Sequence, residues 1–247
     1  MNVRFLGSGD AFGSGGRFQT CIYVRPDEPD AKRLLVDCGA SSLIAMKRSE
    51  VETSDVDVIL LSHLHGDHFG GLPFFILEAH YVSEREKPLV VAGPPGLEAR
   101  IIQAMEVLYP GSSETLREFA LEFVELREGS QAVFGSFAVT PYPVVHSSGA
   151  PAYALRVSYK DKILAFSGDT EWTDALVRAA NGANLFICEC NFFEGGGGHH
   201  LDYQTLMGHR EDLGCHRLVL THMDEEMLRR IEELDVEGAE DGKSYVL

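Results

Sequence analysis

Basic residues are scarce in this 247-residue sequence, and nowhere do they form a cluster. The chain has 21 lysine and arginine residues against 38 aspartate and glutamate residues, which gives a formal net charge of −17 at pH 7. A polyanionic partner normally requires a basic stripe that neutralises phosphates and releases counterions. The composition therefore argues against long nucleic acid or an anionic membrane as a partner, whereas a small phosphorylated substrate is compatible with it.

Long apolar runs and paired cysteines are also missing. No segment approaches the roughly 18 consecutive apolar residues of a membrane-spanning helix. The N-terminal sequence MNVRFLG reaches a glycine before the apolar core of a signal peptide could form. The five cysteines are an odd number scattered through apolar segments, which favours reduced thiols over a disulfide framework. We expect a cytoplasmic protein without a membrane anchor.

What the sequence does contain is a series of short apolar runs rich in β-branched residues, bounded by Gly, Asp or Pro, as is typical of strands. They predict strands at residues 3–6, 20–24, 34–36, 56–61, 89–91, 121–124, 137–145, 152–159 and 163–166. Helical periodicity predicts helices at residues 42–47, 69–82, 96–108, 173–181, 203–212 and 225–233. Helices lie between small groups of strands, so we predict two sheets packed face to face with helices outside, in one domain spanning residues 1–247.

The densest group of chemically active side chains is the segment Ser-His-Leu-His-Gly-Asp-His at residues 62–68. Side chains alternate along a strand, so His63 and His65 should point to the same side at the end of the preceding strand. Asp67 and His68 should lie in the first turn of the following helix. Imidazoles and carboxylates are zinc ligands, and this spacing offers two ligands to each of two neighbouring metal ions.

Two metal sites need more than four protein ligands, and three further candidates occur later in the chain. His146, Asp169 and His222 each lie just beyond an apolar run that reads as a strand. Rigid scaffolds display functional residues at such strand ends. The seven side chains together predict two divalent metal ions, with zinc preferred for the histidine-rich set.

With these residues in place, the sequence resembles the metallo-β-lactamase fold superfamily, whose hallmark is H-x-H-x-D-H followed by a later His, Asp and His. The resemblance covers nearly the whole chain and implies an α+β fold, a four-layer αββα sandwich with the metals at one edge of the two sheets. The implied ligand sets are His63, His65 and His146 for one ion, and Asp67, His68 and His222 for the other, with Asp169 bridging both. An oxygen bridge leaves manganese or iron open beside zinc. It also argues against antibiotic hydrolysis, because the lactamases usually have cysteine there.

Further along, Glu189 and the pair His199-His200 resemble the ribonuclease Z and small phosphodiesterase branch of this superfamily. In that branch a histidine ahead of the last helix protonates the leaving group, and a nearby glutamate orients it. The resemblance assigns the proton donor to His200, with His199 as the alternative, and the orienting role to Glu189. Asp67 completes the predicted catalytic set.

The number of residues between two predicted ligands restricts the class of substrate. Only 22 residues separate His146 from Asp169, which leaves no room for the long basic arm with which bacterial ribonuclease Z grips transfer RNA. We therefore predict hydrolysis of a small phosphodiester, in which a water bridging the two cations becomes hydroxide-like near neutral pH and attacks phosphorus. Arg17 and Ser147 are predicted substrate contacts. A homodimer is compatible with the sequence.

Three alternatives stay open. Asp37 is either a hydrogen-bond partner of a ligand histidine or a turn-forming residue. The same fold also hydrolyses lactones, thioesters and other carboxylic esters, and an enzyme that releases a thiolate would not depend on His200 because that leaving group needs little protonation. A non-catalytic, metal-bound sensor is the third alternative, which the intact ligand set disfavours.

Overall fold

The structure is a computed structural model that describes residues 1–195 and 198–247, and its strands form two seven-stranded sheets. In spatial order, the first sheet consists of β14 (Ser244–Val246), β1 (Asn2–Gly7), β2 (Cys21–Arg25), β3 (Leu34–Val36), β4 (Val58–Leu60), β5 (Leu89–Gly93) and β6 (Leu121–Glu125). The second sheet consists of β13 (Glu237–Gly238), β12 (Leu218–Thr221), β11 (Leu185–Glu189), β10 (Lys162–Phe166), β9 (Ala152–Tyr159), β8 (Phe137–Val144) and β7 (Ala132–Phe134).

Seven α-helices are found among these described residues. They are α1 (Ser42–Arg48), α2 (Gly66–Phe69), α3 (Leu72–Tyr81), α4 (Leu97–Leu108), α5 (Asp174–Ala180), α6 (Tyr203–Gly208) and α7 (Glu225–Arg230). None of the helices in the described part of the chain is both long and apolar enough to cross a bilayer.

Apolar side chains divide among three clusters that define four layers. The cluster between the sheets takes alternate residues of the strands, such as Val3 and Phe5 of β1. A second cluster packs α1, α3 and α4 on the outer face of the first sheet. A third packs α5, α6 and α7 on the outer face of the second sheet. This order of layers is the αββα sandwich, so the predicted fold class is confirmed.

Strand direction brings the loops that carry the candidate site to one edge of the sandwich. Strands β3 to β6 run parallel in the first sheet, and β10 to β13 run parallel in the second. Strand β8 has the same direction as β10, because both pair antiparallel with β9. The carboxyl ends of parallel strands meet at one edge of a sheet, which is where such folds bind ligands.

Most predicted elements lie where the sequence pattern placed them, and β9 has the predicted bounds. The single helix predicted at 69–82 was wrong, because the chain forms α2 and α3 instead. The N–H of Gly71 donates to the carbonyl of Cys38 at 2.9 Å rather than to the helix, which interrupts the helical ladder. The predicted strand 56–61 is limited to β4. Strand β11 was missed, although all five of its residues are buried. That residues 1–247 form one domain stays a prediction.

Candidate metal centre

Each predicted ligand lies just beyond the carboxyl end of a strand. The segment 62–68 follows β4 of the first sheet, whereas His146, Asp169 and His222 follow β8, β10 and β12 of the second sheet. The loops from the two sheets approach closely: Gly168, after β10, has a φ of +59°, and a Cβ there would lie 3.0 Å from Cβ of Ser62, after β4, and 2.7 Å from the carbonyl oxygen of Tyr153. Only glycine fits this position without strain.

The ligand atoms gather in two neighbouring groups. Within each group the candidate ligand atoms all lie within 4.8 Å of one another. The groups are His63, His65 and His146, and Asp67, His68, Asp169 and His222. The fold therefore brings all seven predicted ligands together. They form the two sets that the resemblance implied, and Asp169 belongs to the second set by these distances. Their roles as ligands remain predictions.

Asp169 joins the two groups through one oxygen. Its Oδ2 lies 3.2 Å from Nε2 of His68 and 3.4 Å from Nε2 of His222. The same Oδ2 lies 3.7 Å from Nε2 of His63 and 3.9 Å from Nε2 of His146. A carboxylate with imidazole nitrogens of both groups around it has the position that a bridging ligand requires.

Strand alternation is not what brings His63 and His65 together, contrary to the expectation from the sequence. Strand β4 ends at Leu60, and both histidines lie in the loop that follows it. Their rings nevertheless meet edge to face, with centroids 4.9 Å apart. Asp67 and His68 do lie in the short helix α2, as predicted.

Three buried polar atoms in the cluster have no hydrogen-bond partner: Nε2 of His63, Nε2 of His68 and Oδ1 of Asp169. A buried polar atom without a partner costs about 1–3 kcal/mol, so such atoms are rare in folded proteins. Here three of them point into one cluster of imidazoles and carboxylates. This chemistry fits divalent metal ions, which would satisfy all three atoms as ligands.

Hydrogen bonds hold the far side of several imidazoles and leave Nε2 for the cluster. Nδ1 of His68 donates to Oδ2 of Asp37 at 2.6 Å, and Nδ1 of His146 donates to the carbonyl of His199 at 2.7 Å. Such contacts fix the tautomer and the ring orientation of a metal-binding histidine. Of the two roles considered for Asp37 from the sequence, this contact supports that of a hydrogen-bond partner; its backbone is left-handed, with a φ of +58°.

The charges of the cluster also suit metal binding. Burial raises the pKa of Asp169, but nearby histidines, above all His222 and His68, outweigh it and hold the pKa well below its ordinary value. Burial likewise raises the pKa of Asp67, and the same two histidines again reverse the shift. Burial lowers the pKa of His63 well below its ordinary value. Burial lowers the pKa of His68 and of His222, but Asp169 outweighs it and raises both. The carboxylates and His63 are thus in the forms that bind a metal, whereas His68 and His222 would release protons on binding one.

His200 lies beside the cluster and contacts Glu189. Its Nδ1 is 3.1 Å from Oε2 and 3.2 Å from Oε1 of that carboxylate. Glu189 is fully buried at the end of β11, and burial followed by the charge of Asp169 raises its pKa well above the ordinary value. The side chain of His199 instead is 62% exposed and lies near Glu171. The geometry favours His200 over His199 as the histidine that Glu189 orients.

His200 is also close enough to the cluster to compete as a ligand. It forms candidate groups with His146 and Asp169, and with Glu189 and His222. Its Nδ1 is 4.0 Å from Oδ2 of Asp169 but 3.1 Å from Oε2 of Glu189. The shorter contact to Glu189 supports a role outside the ligand set.

The two predicted substrate contacts differ in their surroundings. Nη1 of Arg17 donates to the carbonyl of Ala239 and, at 3.4 Å, to Oγ of Ser8. These contacts hold the guanidinium on the C-terminal segment and give no support to a substrate role. Ser147 is exposed and directly follows His146. Substrate binding by Arg17 and Ser147 stays a prediction.

The sequence analysis did not find two groups that position the predicted ligands. Asn191 is buried, and its Nδ2 donates to the carbonyl of His222 at 2.9 Å. Oγ of Ser62 lies 3.1 Å from Nδ1 of His63 and donates to Asp37 at 2.8 Å. Ser62 directly precedes His63, and Asn191 lies two residues after Glu189, but no sequence pattern shows which way either side chain points.

A family model described as anti-Pycsar protein Apyc1 matches residues 1–239. The chain belongs to this family. Among curated proteins it is similar to ribonuclease Z of Shouchella clausii (strain KSM-K16), with 32% identity over 162 residues, or 66% of this chain and 49% of that protein. It is also similar to ribonuclease Z of Bacillus licheniformis, with 25% identity over an alignment covering 90% of this chain and 88% of that protein.

This anti-Pycsar family member also resembles solved structures over its full length. Human tRNase Z, short form, superimposes with a TM-score of 0.80 at 24% identity, covering 100% of this chain and 99% of the other. The metallo-β-lactamase fold protein YhfI from Bacillus subtilis superimposes with a TM-score of 0.76 at 21% identity, covering 99% and 98%. These likenesses show that the fold is the metallo-β-lactamase fold. The matched segment nevertheless spans about half the length of curated relatives such as the Shouchella protein.

Proposed function

We propose that the protein is a dinuclear metal-dependent phosphodiesterase that hydrolyses a small phosphodiester. The observation that carries this proposal is the pair of ligand groups that share Asp169, with His200 held by Glu189 directly beside them. The names of its relatives support the reaction class. Two are called ribonuclease Z, and structural neighbours include a diphosphatase of the PhnP family and yeast PDE1.

The ligand groups would hold two ions, with zinc preferred because five of the seven side chains are imidazoles. The chemistry that such a pair of divalent cations supplies is Lewis-acid polarisation of a phosphoryl oxygen and activation of water. The protein contributes the rest. Asp37 and the carbonyl of His199 keep Nε2 of His68 and of His146 directed at the cluster.

The second protein contribution is a proton for the leaving oxygen. When Glu189 is ionised, its oxygens only accept hydrogen bonds, so Nδ1 of His200 is then the donor in the contact between the two side chains. Nε2 of His200 is then the nitrogen that would deliver a proton to the leaving alkoxide. The donor is kept in place because Glu189 itself accepts hydrogen bonds from the N–H groups of Thr170 and Leu201.

The surroundings of His200 favour a small substrate. It lines a cavity of about 400 Å³ together with His222, Asn191 and the loop that carries Phe12, and another of about 250 Å³ beside Trp172. Volumes of this order accommodate small molecules. The segment between His146 and Asp169 is a short loop followed by β9, the turn at residues 160–161 and β10, with no extended arm for gripping transfer RNA.

A substrate panel tests the proposal. Metal-quantified protein is assayed with chromogenic phosphodiesters, phosphomonoesters, a lactone and a thioester, and with a transfer-RNA precursor beside a dinucleotide. We expect turnover of diesters, including the dinucleotide, and no turnover in the Asp169→Asn variant purified in parallel. Cleavage of the lactone or thioester alone would indicate a carboxylic ester hydrolase. Efficient cleavage of the precursor but not of small diesters would indicate a ribonuclease.

A further inference from the structure

Far from the metal centre, the structure contains a polar cavity of about 580 Å³ with three arginines in its wall. We propose that this cavity, the arginine pocket, lined by Arg4, Tyr23, Arg25 and Arg33, binds the phosphoryl group of a small phosphorylated molecule. The proposal does not depend on the proposed function of the metal centre.

The strand register explains why these side chains meet. Arg4 of β1 pairs directly with Tyr23 of β2, and Asn2 pairs with Arg25 two residues further along. Val3 and Phe5 of the same strand point into the core between the sheets. Because side chains alternate, Arg4 and its neighbours lie on the opposite face of the first sheet. Arg33 joins them from the segment directly ahead of β3.

Two of the three guanidinium groups have no carboxylate partner. Nη1 of Arg4 donates to the carbonyl of Ser49 at 3.1 Å, and in the described part of the chain neither Arg4 nor Arg25 takes part in an ion pair. Arg33 is different, since it pairs with Asp55. An arginine fork matches the oxygens of a phosphate and forms charge-assisted hydrogen bonds to them. Arg4 and Arg25 are therefore the groups available to an anion.

The acidic residues in the wall do not cancel this charge. Asp55 is already engaged by Arg33 and accepts a hydrogen bond from the N–H of Glu52. Glu50 also lines the cavity, but it is exposed at the turn that follows α1, so solvent screens its charge. Tyr23 adds a neutral donor: burial raises the pKa of its hydroxyl, although Arg33 opposes the shift.

The overall charge of the molecule makes the pocket more notable. With a formal net charge of −17, the protein repels anions at long range, so an anion site has to be built from local contacts.

The pocket is also separate from the metal centre. Arg4 and Ser8, which lies beside His222, are four residues apart on an extended segment, or roughly 13 Å. A phosphoryl group bound by Arg4 would not reach the metal ligands.

The volume and the charge together define the ligand class. A cavity of about 580 Å³ exceeds what a single phosphate needs, so it has room for a small organic group attached to the phosphoryl group. Two unpaired guanidinium groups match the two negative charges of a phosphate monoester. The expected ligand is a small phosphate monoester, and inorganic phosphate is the simplest probe for it.

Isothermal titration of inorganic phosphate into the metal-loaded protein tests the proposal. Phosphate is expected to bind at two independent classes of site, one at the metal centre and one at the arginine pocket. Arg25→Gln should weaken the second class by about tenfold or more and leave the first unchanged. Asp169→Asn should remove the first class and leave the second. Arg127→Gln is the matched control, because the Arg127 side chain is 75% exposed and, within the described part of the chain, its ion pair is with Glu125.

Arg25→Gln is the decisive variant because Arg25 is exposed at the end of β2 and its side chain forms no ion pair among the described residues, so the fold should tolerate the change. Arg4→Lys, which keeps the charge but loses the fork, should weaken binding less than Arg4→Gln. A single class of sites that disappears in Asp169→Asn would overturn the proposal. So would equal losses in Arg25→Gln and Arg127→Gln.

Discussion

At the scale of single residues, the candidate metal centre depends on which nitrogen of each histidine faces the cluster. Nδ1 of His68 and Nδ1 of His146 are both occupied by acceptors outside the cluster, one a carboxylate and the other a backbone carbonyl. The side chains of His68 and Asp37 are completely buried, so water does not compete for their hydrogen bond. Asp169 lies within the cluster, whereas Asp37 contacts it through His68. Substitutions at the two positions should therefore affect metal binding to different degrees.

Asp169→Asn should reduce bound metal and activity far more than Asp37→Asn, because Asp169 touches both ligand groups and Asp37 touches one imidazole. Loss of an outer contact typically costs about 10–100-fold in metal affinity or activity. Elemental analysis and initial rates on both purified variants measure the difference. The asparagine substitutions keep the side-chain size and suit the left-handed backbone of Asp37. Equal losses at equal metal content would show that Asp169 is not the bridge.

His200→Ala should leave the metal content intact but slow hydrolysis of a diester with an alkoxide leaving group by about 10²–10⁴-fold. A diester with a nitrophenolate leaving group should be affected much less, because that leaving group needs little protonation. The measurement compares the hydrolysis rates of the two substrates in the wild type and in His200→Ala.

Glu189→Gln is the matched test of positioning, since it keeps the size of the side chain but removes the charged acceptor facing His200. It should show the same dependence on the leaving group with a smaller loss. Loss of metal in His200→Ala would instead make His200 a ligand, and a similar defect on both substrates would assign it to substrate binding.

At the scale of secondary-structure elements, the short helix α6 anchors the segment that carries His200. Asp202 caps its N-terminus: Oδ1 accepts from the N–H of Thr205 at 2.9 Å, and Oδ2 accepts from the Thr205 hydroxyl at 2.8 Å. The adjacent Tyr203 donates from its N–H to the carbonyl of Phe192 at 2.9 Å. The bond from Tyr203 thus ties the start of α6 to the segment that follows Glu189.

Asp202→Ala should lower the free energy of unfolding by about 1 kcal/mol, the usual loss on removing an N-cap. Asp202→Asn should be close to wild type, because asparagine keeps an acceptor for the first turn. Urea unfolding followed by circular dichroism measures both. A loss in the asparagine variant as large as in the alanine variant would mean that the charge of Asp202, rather than the cap, stabilises the helix.

Two secondary-structure elements, β11 and the helix predicted at residues 69–82, show where prediction from the sequence pattern failed. Strand β11 is a central strand between β10 and β12 and is buried on both faces. Ile187 is its one β-branched residue, so its strand pattern is weaker than that of the equally buried β4 and β5, which were predicted. The helix predicted at 69–82 was interrupted by a contact with Cys38, more than thirty residues earlier in the chain. The second error arises because a neighbour from a distant part of the sequence decided the local structure.

At the scale of the whole molecule, the candidate metal centre connects the two sheets. His63, His65, Asp67 and His68 come from the first sheet, whereas the other ligands come from the second. Metal binding to both sets should therefore stabilise the folded state against separation of the sheets. We expect two metal ions per chain by elemental analysis after reconstitution. A stoichiometry that stays near one would count against the dinuclear centre.

Removal of the metals with a chelator should lower Tm by about 5–10 °C, and added zinc should restore it. Ligand present at a hundred times its Kd contributes about 2.7 kcal/mol, and each kcal/mol shifts Tm by about 2–4 °C in a protein of this size. Differential scanning calorimetry with and without chelator measures the shift. Asp169→Asn is the control, since its Tm should respond much less to the chelator. An unchanged Tm in the wild type would show that the cluster does not hold metal in the folded protein.

The sequence by itself determined the fold family, most of the strands, and which side chains form the candidate centre. These properties are local: a period of two or 3.6 and a dense motif such as 62–68 can be read along the chain. Tertiary structure alone decided that Asp37, Asn191 and the carbonyl of His199 orient the imidazoles, and that Arg4 and Arg25 share one cavity. The physical reason is that these contacts join residues far apart in sequence, and their directions follow from sheet register and loop packing, which leave no periodic trace in the chain.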